Sequence, residues 1–324
     1  MTKPCLIVQP IHPVGEECLR AAGLTPRVAS RSDMATIRRE ISDAVAVITR
    51  SAGINAHAMD AAPSLRVIGS HGIGVNAIAI DHATALGIPV VNTPEANRGS
   101  VAEHTIALML AAAKQIGRAD AAARDVDFDF KYRARLSDIS GKVLGIVGFG
   151  GIGRKVAAMA RTAFAMDVIV FSQSAVPSEL QMLGYRRASS LDALLSEAEI
   201  VSLHLPLLPQ LRHMIGKREL GLMKPSAILI NTARGGLVDE SALAETLSVG
   251  GIAGAGLDVF ENEQMARDHP LLKLPNVALT PHIAGSSEEA LECTAIQVVE
   301  RIVSVLGGTP IDVVNPAVWD RRRR

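Results

Sequence analysis

Cysteine is scarce in this chain: Cys5, Cys18 and Cys293 are all that 324 residues contain. The number is odd and there is no C-x-x-C pair, which excludes a disulfide scaffold and a cysteine-built zinc site and fits a reducing compartment. Net charge is lacking as well, with 33 Lys+Arg against 33 Asp+Glu. A balanced chain is not built to hold nucleic acid or an anionic membrane. Long apolar runs are missing; the longest, Ile106 to Ala113, falls far short of the roughly 20 residues that span a bilayer. Met1-Thr2-Lys3-Pro4 leads straight into a strand-like stretch without a signal-peptide pattern. The expectation is a soluble, cytoplasmic protein with no metal centre, whose only basic block, Arg321 to Arg324, is a solvated tail.

What is present is enough apolar material, 48%, for two cores, and the length predicts two domains. Short apolar runs at Cys5 to Gln9, Ala44 to Thr49, Val67 to Gly69 and Ile88 to Asn92 alternate with helical stretches at 14–22, 33–41, 55–62 and 76–86. Such alternation predicts a parallel sheet covered by helices. Ser100-Val101-Ala102-Glu103 has the form of a capping box and opens a helix, apolar on most faces, that runs to about Ile116. Residues 118–140 are charged and aperiodic, and read as a mobile loop or as an arm for a partner subunit. Alternation then resumes, with strands at 168–171, 200–205, 227–231, 254–259 and 277–280 and helices at 191–197, 217–223 and 240–247. A last amphipathic helix, Glu288 to Leu306, and an extended 311–315 are expected to return to the first domain. The expected division is 1–98 plus 287–324 for a discontinuous substrate domain of flavodoxin-like type, and 99–286 for a Rossmann-like domain inserted in it, with the cleft between the two.

The most informative stretch is Gly141 to Phe164. A β-branched run, Val143 to Val147, ends in Gly148-Phe149-Gly150-Gly151-Ile152-Gly153, and a helix follows. This context turns a weak G-x-G-x-x-G match into a dinucleotide site: bare N–H groups at a helix N-terminus favour a pyrophosphate. Gly148 makes the tight turn, Gly150 lets the phosphates approach, and Gly153 lets the helix pack on the strand.

Four polar residues stand at the ends of expected strands in the second domain: Arg234, Asp258, His282 and, five residues after Asp258, Glu263. Singly, each has a plain reading as a surface Arg, a helix-capping Asp, a loop His or a solvated Glu. Together they flank one ligand crevice. With His71-Gly72-Ile73-Gly74, Ser100 to His104, His204-Leu205-Pro206-Leu207, Asn231-Thr232-Ala233-Arg234-Gly235, Leu257-Asp258-Val259-Phe260 and Thr280-Pro281-His282-Ile283-Ala284-Gly285, the chain resembles the D-isomer-specific 2-hydroxyacid dehydrogenases along nearly its whole length.

The resemblance implies an NAD(P)-dependent enzyme with Arg234 on the substrate carboxylate and keto oxygen, His282 as general acid/base and Glu263 as the carboxylate that orients the imidazole. Gly148, Gly150, Gly151, Ile152, Gly153, Ser172, Gln173, Ser174, His204, Pro206, Thr232, Ala233 and Asp258 would line the coenzyme, Asp258 at the nicotinamide carboxamide. Arg50, Ser51, His71, Gly72, Ile73 and Gly74 would bind substrate. The physics agrees: reducing a keto acid develops negative charge on oxygen, which a cation and a proton donor stabilise.

Two departures matter. The second strand of the nucleotide fold ends Phe171-Ser172-Gln173-Ser174, without the acid that holds a ribose 2′-hydroxyl, so NADP is favoured over NAD. No Arg stands beside those serines in sequence; Arg154, Arg186 or Arg187 would have to be brought there by folding. Gly151 replaces an arginine that many relatives carry in the turn, with Arg154 as a possible substitute. Arg50-Ser51 and Lys131 resemble phosphoglycerate dehydrogenases, but Ala52 stands where a further arginine would help. The expected substrate is a small keto acid of the glyoxylate or hydroxypyruvate type, an anionic C3 acid being the alternative, and the resemblance implies a homodimer. A reading of another class, a cofactor-sensing corepressor-like binding protein, keeps the same Arg, Glu and His but needs long docking flanks. A formate dehydrogenase would lack Glu263. His71, His104 and Trp319 read most simply as packed residues.

Overall fold

The computed structural model describes residues 3–323, and its chain divides into two compact units. One runs to Asn97 and resumes at Gly285; the other is Arg98–Ala284. In the first, β1 (Pro4–Ile7), α1 (Pro13–Ala21), β2 (Thr25–Val28), α2 (Met34–Glu40), β3 (Ala46–Thr49), α3 (Ala56–Asp60), β4 (Val67–Ser70), α4 (Ile80–Ala85) and β5 (Val90–Val91) alternate. They form an all-parallel sheet of order β2-β1-β3-β4-β5, the doubly wound order of flavodoxin-like folds.

The second unit holds α5 (Arg98–Ala113), α6 (Ile116–Arg124), α7 (Phe130–Arg133), β6 (Val143–Val147), α8 (Gly151–Phe164), β7 (Asp167–Phe171), α9 (Pro177–Met182), β8 (Arg186–Arg187), α10 (Leu191–Glu197), β9 (Ile200–Leu203), α11 (Lys217–Leu222), β10 (Ile228–Asn231), α12 (Glu240–Ser248), β11 (Gly254–Leu257) and β12 (Val277–Leu279). Its seven parallel strands lie in the order β12-β11-β10-β9-β6-β7-β8. Strands β6 and β9 are neighbours although two others separate them in sequence, and this reversal opens the crevice in which such sheets bind nucleotides. Strands β6, β9 and β10 are buried on both faces, which is why they read as unbroken apolar runs.

The chain then returns to the first unit through α13 (Glu288–Leu306), capped by Ser287 Oγ on the Ala290 N–H at 3.2 Å. Its buried face includes Val298, Val299 and Ile302, each contributing about 1.5–3 kcal/mol. It lies so close on β4 that a Cβ at Gly69 would stand 2.7 Å from Val298 Cγ2.

Several expectations need correction. Ser100 does not cap a helix: α5 already begins at Arg98, and Ser100 Oγ donates to the Ala284 carbonyl at 2.7 Å. The helix expected from Asn76 starts only at Ile80, because Ile54 N–H binds the Ala77 carbonyl and Ala79 N–H the Ile54 carbonyl. Residues 116–133 carry two helices; neither buries a residue, so no apolar face marked them. The basic block is no solvated tail. Arg323 donates from Nε to the Leu86 carbonyl at 2.9 Å and from Nη1 to the Ala62 carbonyl at 3.0 Å, while the Arg322 guanidinium lies 4.1 Å over the Trp319 ring. Arg324 lies outside the described residues. Among those residues no helix is long and apolar enough to cross a membrane, and no cluster of His, Cys, Asp or Glu could hold a metal.

Candidate active site

Every parallel strand of the second unit delivers its C-terminal end to the same edge of the sheet, and the candidate residues stand there. The glycines divide their tasks as expected from the nucleotide chemistry. Gly148 has φ +96°, and a Cβ there would meet the His204 carbonyl oxygen at 2.5 Å; one at Gly153 would meet the Gly148 oxygen at 2.3 Å. A Cβ at Gly150 would meet nothing within 4 Å. The turn is therefore closed underneath and open at Gly150, where α8 begins, and it can accept a diphosphate on its N–H groups.

Beside it, the end of β7 opens into a cavity of about 320 Å³ lined by Phe171, Ser172, Gln173, Arg187, Ala188 and Ser189. Ser172 and Ser174 face each other at 3.3 Å. Of the three arginines that folding might have brought here, Arg186 is tied to Asp167 and Glu197, and Arg154 is paired with Glu179 while stacking 4.4 Å over Phe149. Arg187 is the one that shares a cavity with Ser172. No motif flagged it, since β8 is a two-residue exposed edge strand.

His204 follows β9 with Nε2 at 2.9 Å from Ser202 Oγ, and burial pushes its imidazole down to about 3, so the ring is neutral. Pro206 is exposed. Thr232, buried after β10, shares a 2.8 Å hydrogen bond with Thr105. Arg234 comes next on a loop shaped by Asn231, whose Oδ1 accepts from Ala233 N and whose Nδ2 donates to the Arg234 carbonyl. Its own Nη1 donates to the Ala233 carbonyl at 2.6 Å. Desolvation draws the guanidinium's pKa down and the Glu263 charge opposes that; arginine remains cationic throughout. At Gly235 the loop backbone presses on the next one: a Cβ would stand 1.9 Å from the Phe260 carbonyl carbon. That approach sets Arg234 beside the segment 260–263.

The same segment is braced from below. Glu261 N–H donates to Glu240 Oε1 at 2.6 Å, and the Glu261 carboxylate accepts from Arg212 and pairs with His213. Glu263 then hydrogen-bonds His282 Nδ1. His282 sits at φ +55°, an unfavourable conformation for a non-glycine residue, with its N–H on the Asp258 carbonyl at 2.8 Å. Strain of this kind persists where surrounding contacts over-determine it.

Asp258 follows β11 directly. Its carboxylate is wholly buried and turned into the His282 loop, accepting from Thr280 Oγ1 at 2.6 Å and from the N–H groups of Ile283 and Ala284 at 2.9 Å each. Burial works to raise its pKa, but the hydrogen bonds from His104, Thr280, Ala284 and Ile283 outweigh it and hold the carboxyl below its ordinary value. The stabilisation is complete above the usual carboxylate range and is lost as pH falls through the folded-state value. Asp258→Asn would set an amide N–H₂ against backbone donors. It should destabilise the second unit by about 1–3 kcal/mol, seen as a lower urea midpoint.

In the first unit, the loop His71-Gly72-Ile73-Gly74 turns its carbonyls inward. Gly72 O accepts from Thr93 N, Ile73 O from Asn92 Nδ2 at 2.9 Å, and Gly74 O from Ser70 Oγ at 2.6 Å. Of its N–H groups, that of His71 donates to the Thr49 carbonyl at 2.8 Å and that of Gly72 to the Ser70 carbonyl at 3.0 Å. Desolvation, helped by the Arg50 charge, lowers the His71 imidazole to about 4, and its buried Nε2 has no partner among the described residues. Arg50 Nη1 donates to the Pro10 carbonyl at 2.9 Å, and Ser51 accepts from Gln9 at 3.1 Å. His104 is a packed residue, with Nε2 at 2.9 Å from Thr280 Oγ1, and Trp319 packs in the first unit's core.

With this geometry in hand, similarity to known proteins is informative. Residues 106–284 match the family model of the D-isomer specific 2-hydroxyacid dehydrogenase NAD binding domain. The chain is 40% identical over 305 residues to a D-3-phosphoglycerate dehydrogenase of Methanocaldococcus jannaschii, covering 94% of this chain and 57% of that one. It thus spans little more than half the length of that curated relative. A glyoxylate reductase of Thermococcus litoralis is 38% identical over 300 residues, with 90% and 89% covered. An NADPH-dependent glyoxylate/hydroxypyruvate reductase of Sinorhizobium meliloti, solved with NADP and malonate, superposes with a TM-score of 0.87 at 28% identity, covering 100% of this chain and 99% of that one.

Proposed function

The chain belongs to the D-isomer-specific 2-hydroxyacid dehydrogenase family, and from that premise we propose that it interconverts a small 2-keto acid and its D-2-hydroxy acid, with NADPH as the favoured coenzyme and glyoxylate or hydroxypyruvate as the substrate type. The observation that carries this reading is the Arg234, Glu263 and His282 constellation on adjacent strand ends. A half-buried, forked guanidinium recognises a carboxylate and polarises the neighbouring carbonyl. His282, its Nδ1 engaged by Glu263, keeps Nε2 for the substrate oxygen: it donates a proton in reduction and takes one in oxidation. The nicotinamide, when bound, supplies or accepts the hydride.

The residues present fit that coenzyme. The glycine turn offers N–H groups and open space at Gly150, and the Ser172, Arg187 and Ser189 cavity offers hydroxyls and a cation to a 2′-phosphate. Arg187→Ala and Ser172→Asp should each weaken NADPH about 10- to 100-fold and leave NADH nearly unchanged. Equal loss of both coenzymes would move the 2′-phosphate elsewhere. The test of function is initial rates with NADPH and NADH against glyoxylate, hydroxypyruvate, pyruvate, 2-ketogluconate and phosphohydroxypyruvate. NADPH turnover of the first two supports the reading. NADH turnover confined to the phosphorylated acid would favour the second reading, a phosphoglycerate-type dehydrogenase using Arg50.

We further infer a cytoplasmic homodimer; the homodimer reading is supported by the exposed apolar side chains Val126 and Phe128 between α6 and α7, Tyr132 on α7 and Leu136 after it. Sizing in solution tests it.

A further inference from the structure

Glu240, the first residue of α12, is only 8% exposed. Burying a carboxylate is costly unless hydrogen bonds offset it, and burial here works to raise its pKa. The helix cap is a different residue: Asp239 Oδ1 accepts from the N–H groups of Ser241 and Ala242 at 3.0 Å each. The oxygens of Glu240 turn instead to the connection between β11 and β12. Oε1 accepts from the Glu261 N–H at 2.6 Å, and Oε2 stands 3.3 Å from His269 Nε2.

Those two partners lie on either side of Glu263. Residues 261–269 form neither helix nor strand, so Glu263 gains no fixed place from a regular hydrogen-bond ladder. An acid that orients an imidazole needs one. Met265 packs on the core of the unit, but apolar contact is non-directional. The Glu261 carboxylate pairs with Arg212 and His213, which are more exposed, and surface pairs of that kind hold weakly. Glu240 is the buried and directional anchor, fastening the stretch at 261 and at 269. The connection from β10 that ends in Glu240 also bears Arg234, so one segment carries the cation and fixes the carboxylate opposite it.

We propose that Glu240 is a positioning residue for the proton-transfer pair: by fastening residues 261 and 269 it sets the Glu263 carboxylate against His282 Nδ1. The inference rests on the acid–base reading of Glu263 and His282 above and adds to it a residue that acts through another. Its loss therefore belongs in kcat and not in coenzyme affinity.

The experiment is steady-state kinetics and coenzyme Kd on the intact protein, with NADPH and whichever keto acid named above turns over fastest. The variants are Glu240→Met, Glu240→Gln, Glu263→Ala and the double variant Glu240→Met/Glu263→Ala, with urea unfolding as the check on folding. Methionine keeps the length of the side chain without an acceptor. It should lower kcat about 10- to 100-fold, as expected when a group at the site is misplaced, with KM and Kd nearly unchanged. Glutamine, whose amide oxygen accepts the same N–H, should recover most of the loss. In the Glu263→Ala background, Glu240→Met should cause no further loss, because the group that it places is gone. An unchanged kcat in Glu240→Met, no recovery in Glu240→Gln, or a full second loss in the double variant would overturn the assignment. If Glu240→Met does not fold, Glu240→Ala takes its place in the same cycle. Glu263→Ala with wild-type kcat would instead remove the acid–base reading on which the inference rests.

Discussion

His282→Gln is expected to lower kcat by about 100- to 10,000-fold while leaving coenzyme Kd almost untouched. The side chain is near half exposed and hydrogen-bonds Glu263, so its replacement by a residue of similar size removes a proton carrier and disturbs little of the packing. Glutamine retains size and hydrogen bonding but has no proton to exchange at assay pH. The backbone at φ +55° is held by Asp258 through the 282 N–H, a contact that a side-chain change does not disturb. The pH dependence sharpens the test. His204 and His71, lowered to about 3 and about 4 by burial, are neutral across the working range and contribute no break. The limb of the pH–rate profile that reports the proton donor should therefore vanish in the variant. Unchanged kcat with an unchanged profile would take His282 out of the chemistry.

What could be read from the chain beforehand follows from where each signal resides. The coenzyme turn was legible because strand, glycines and helix are contiguous, and the steric demand on Gly153 is set by the Gly148 carbonyl and Ile146 of the same βαβ unit, although that on Gly148 comes from His204 after β9. Both sheets were legible because parallel strands buried on two faces must be apolar runs. Edge strands escape that rule: β2, Thr25-Pro26-Arg27-Val28, is mostly exposed, and β8 is two arginines. Yet β8 matters, since its register on β7 pairs Arg187 with Val170 and sets the cation at the serines. The position of Arg98 is likewise a product of packing, since 52 residues separate it from Gly151, the glycine it covers. Asp258 stood in a plain motif, but the donors that hold its carboxylate could not be read from that motif, because they come from His104, Thr280, Ile283 and Ala284.

Arg234→Ala should reduce kcat/KM by about 100- to 1,000-fold, the loss found when one preorganised electrostatic donor is removed from a reacting oxygen. Because the carboxylate of the substrate is bound in ground and transition states alike, part of the loss should appear in KM; the carbonyl contact, which strengthens as charge develops, should appear in kcat. Arg234→Lys separates the two. It restores the charge but not the fork, so it should recover substrate affinity in part and kcat hardly at all. The site is also arranged against lysine: Nη1 is committed to the Ala233 carbonyl, and only a planar five-donor group can hold that contact and still present a parallel pair of N–H bonds outward. Steady-state kinetics on both variants, with the affinity of a non-reacting dicarboxylate such as malonate as a separate readout, checks this division. If Arg234→Ala left KM and malonate affinity unchanged, the substrate carboxylate would have to lie elsewhere.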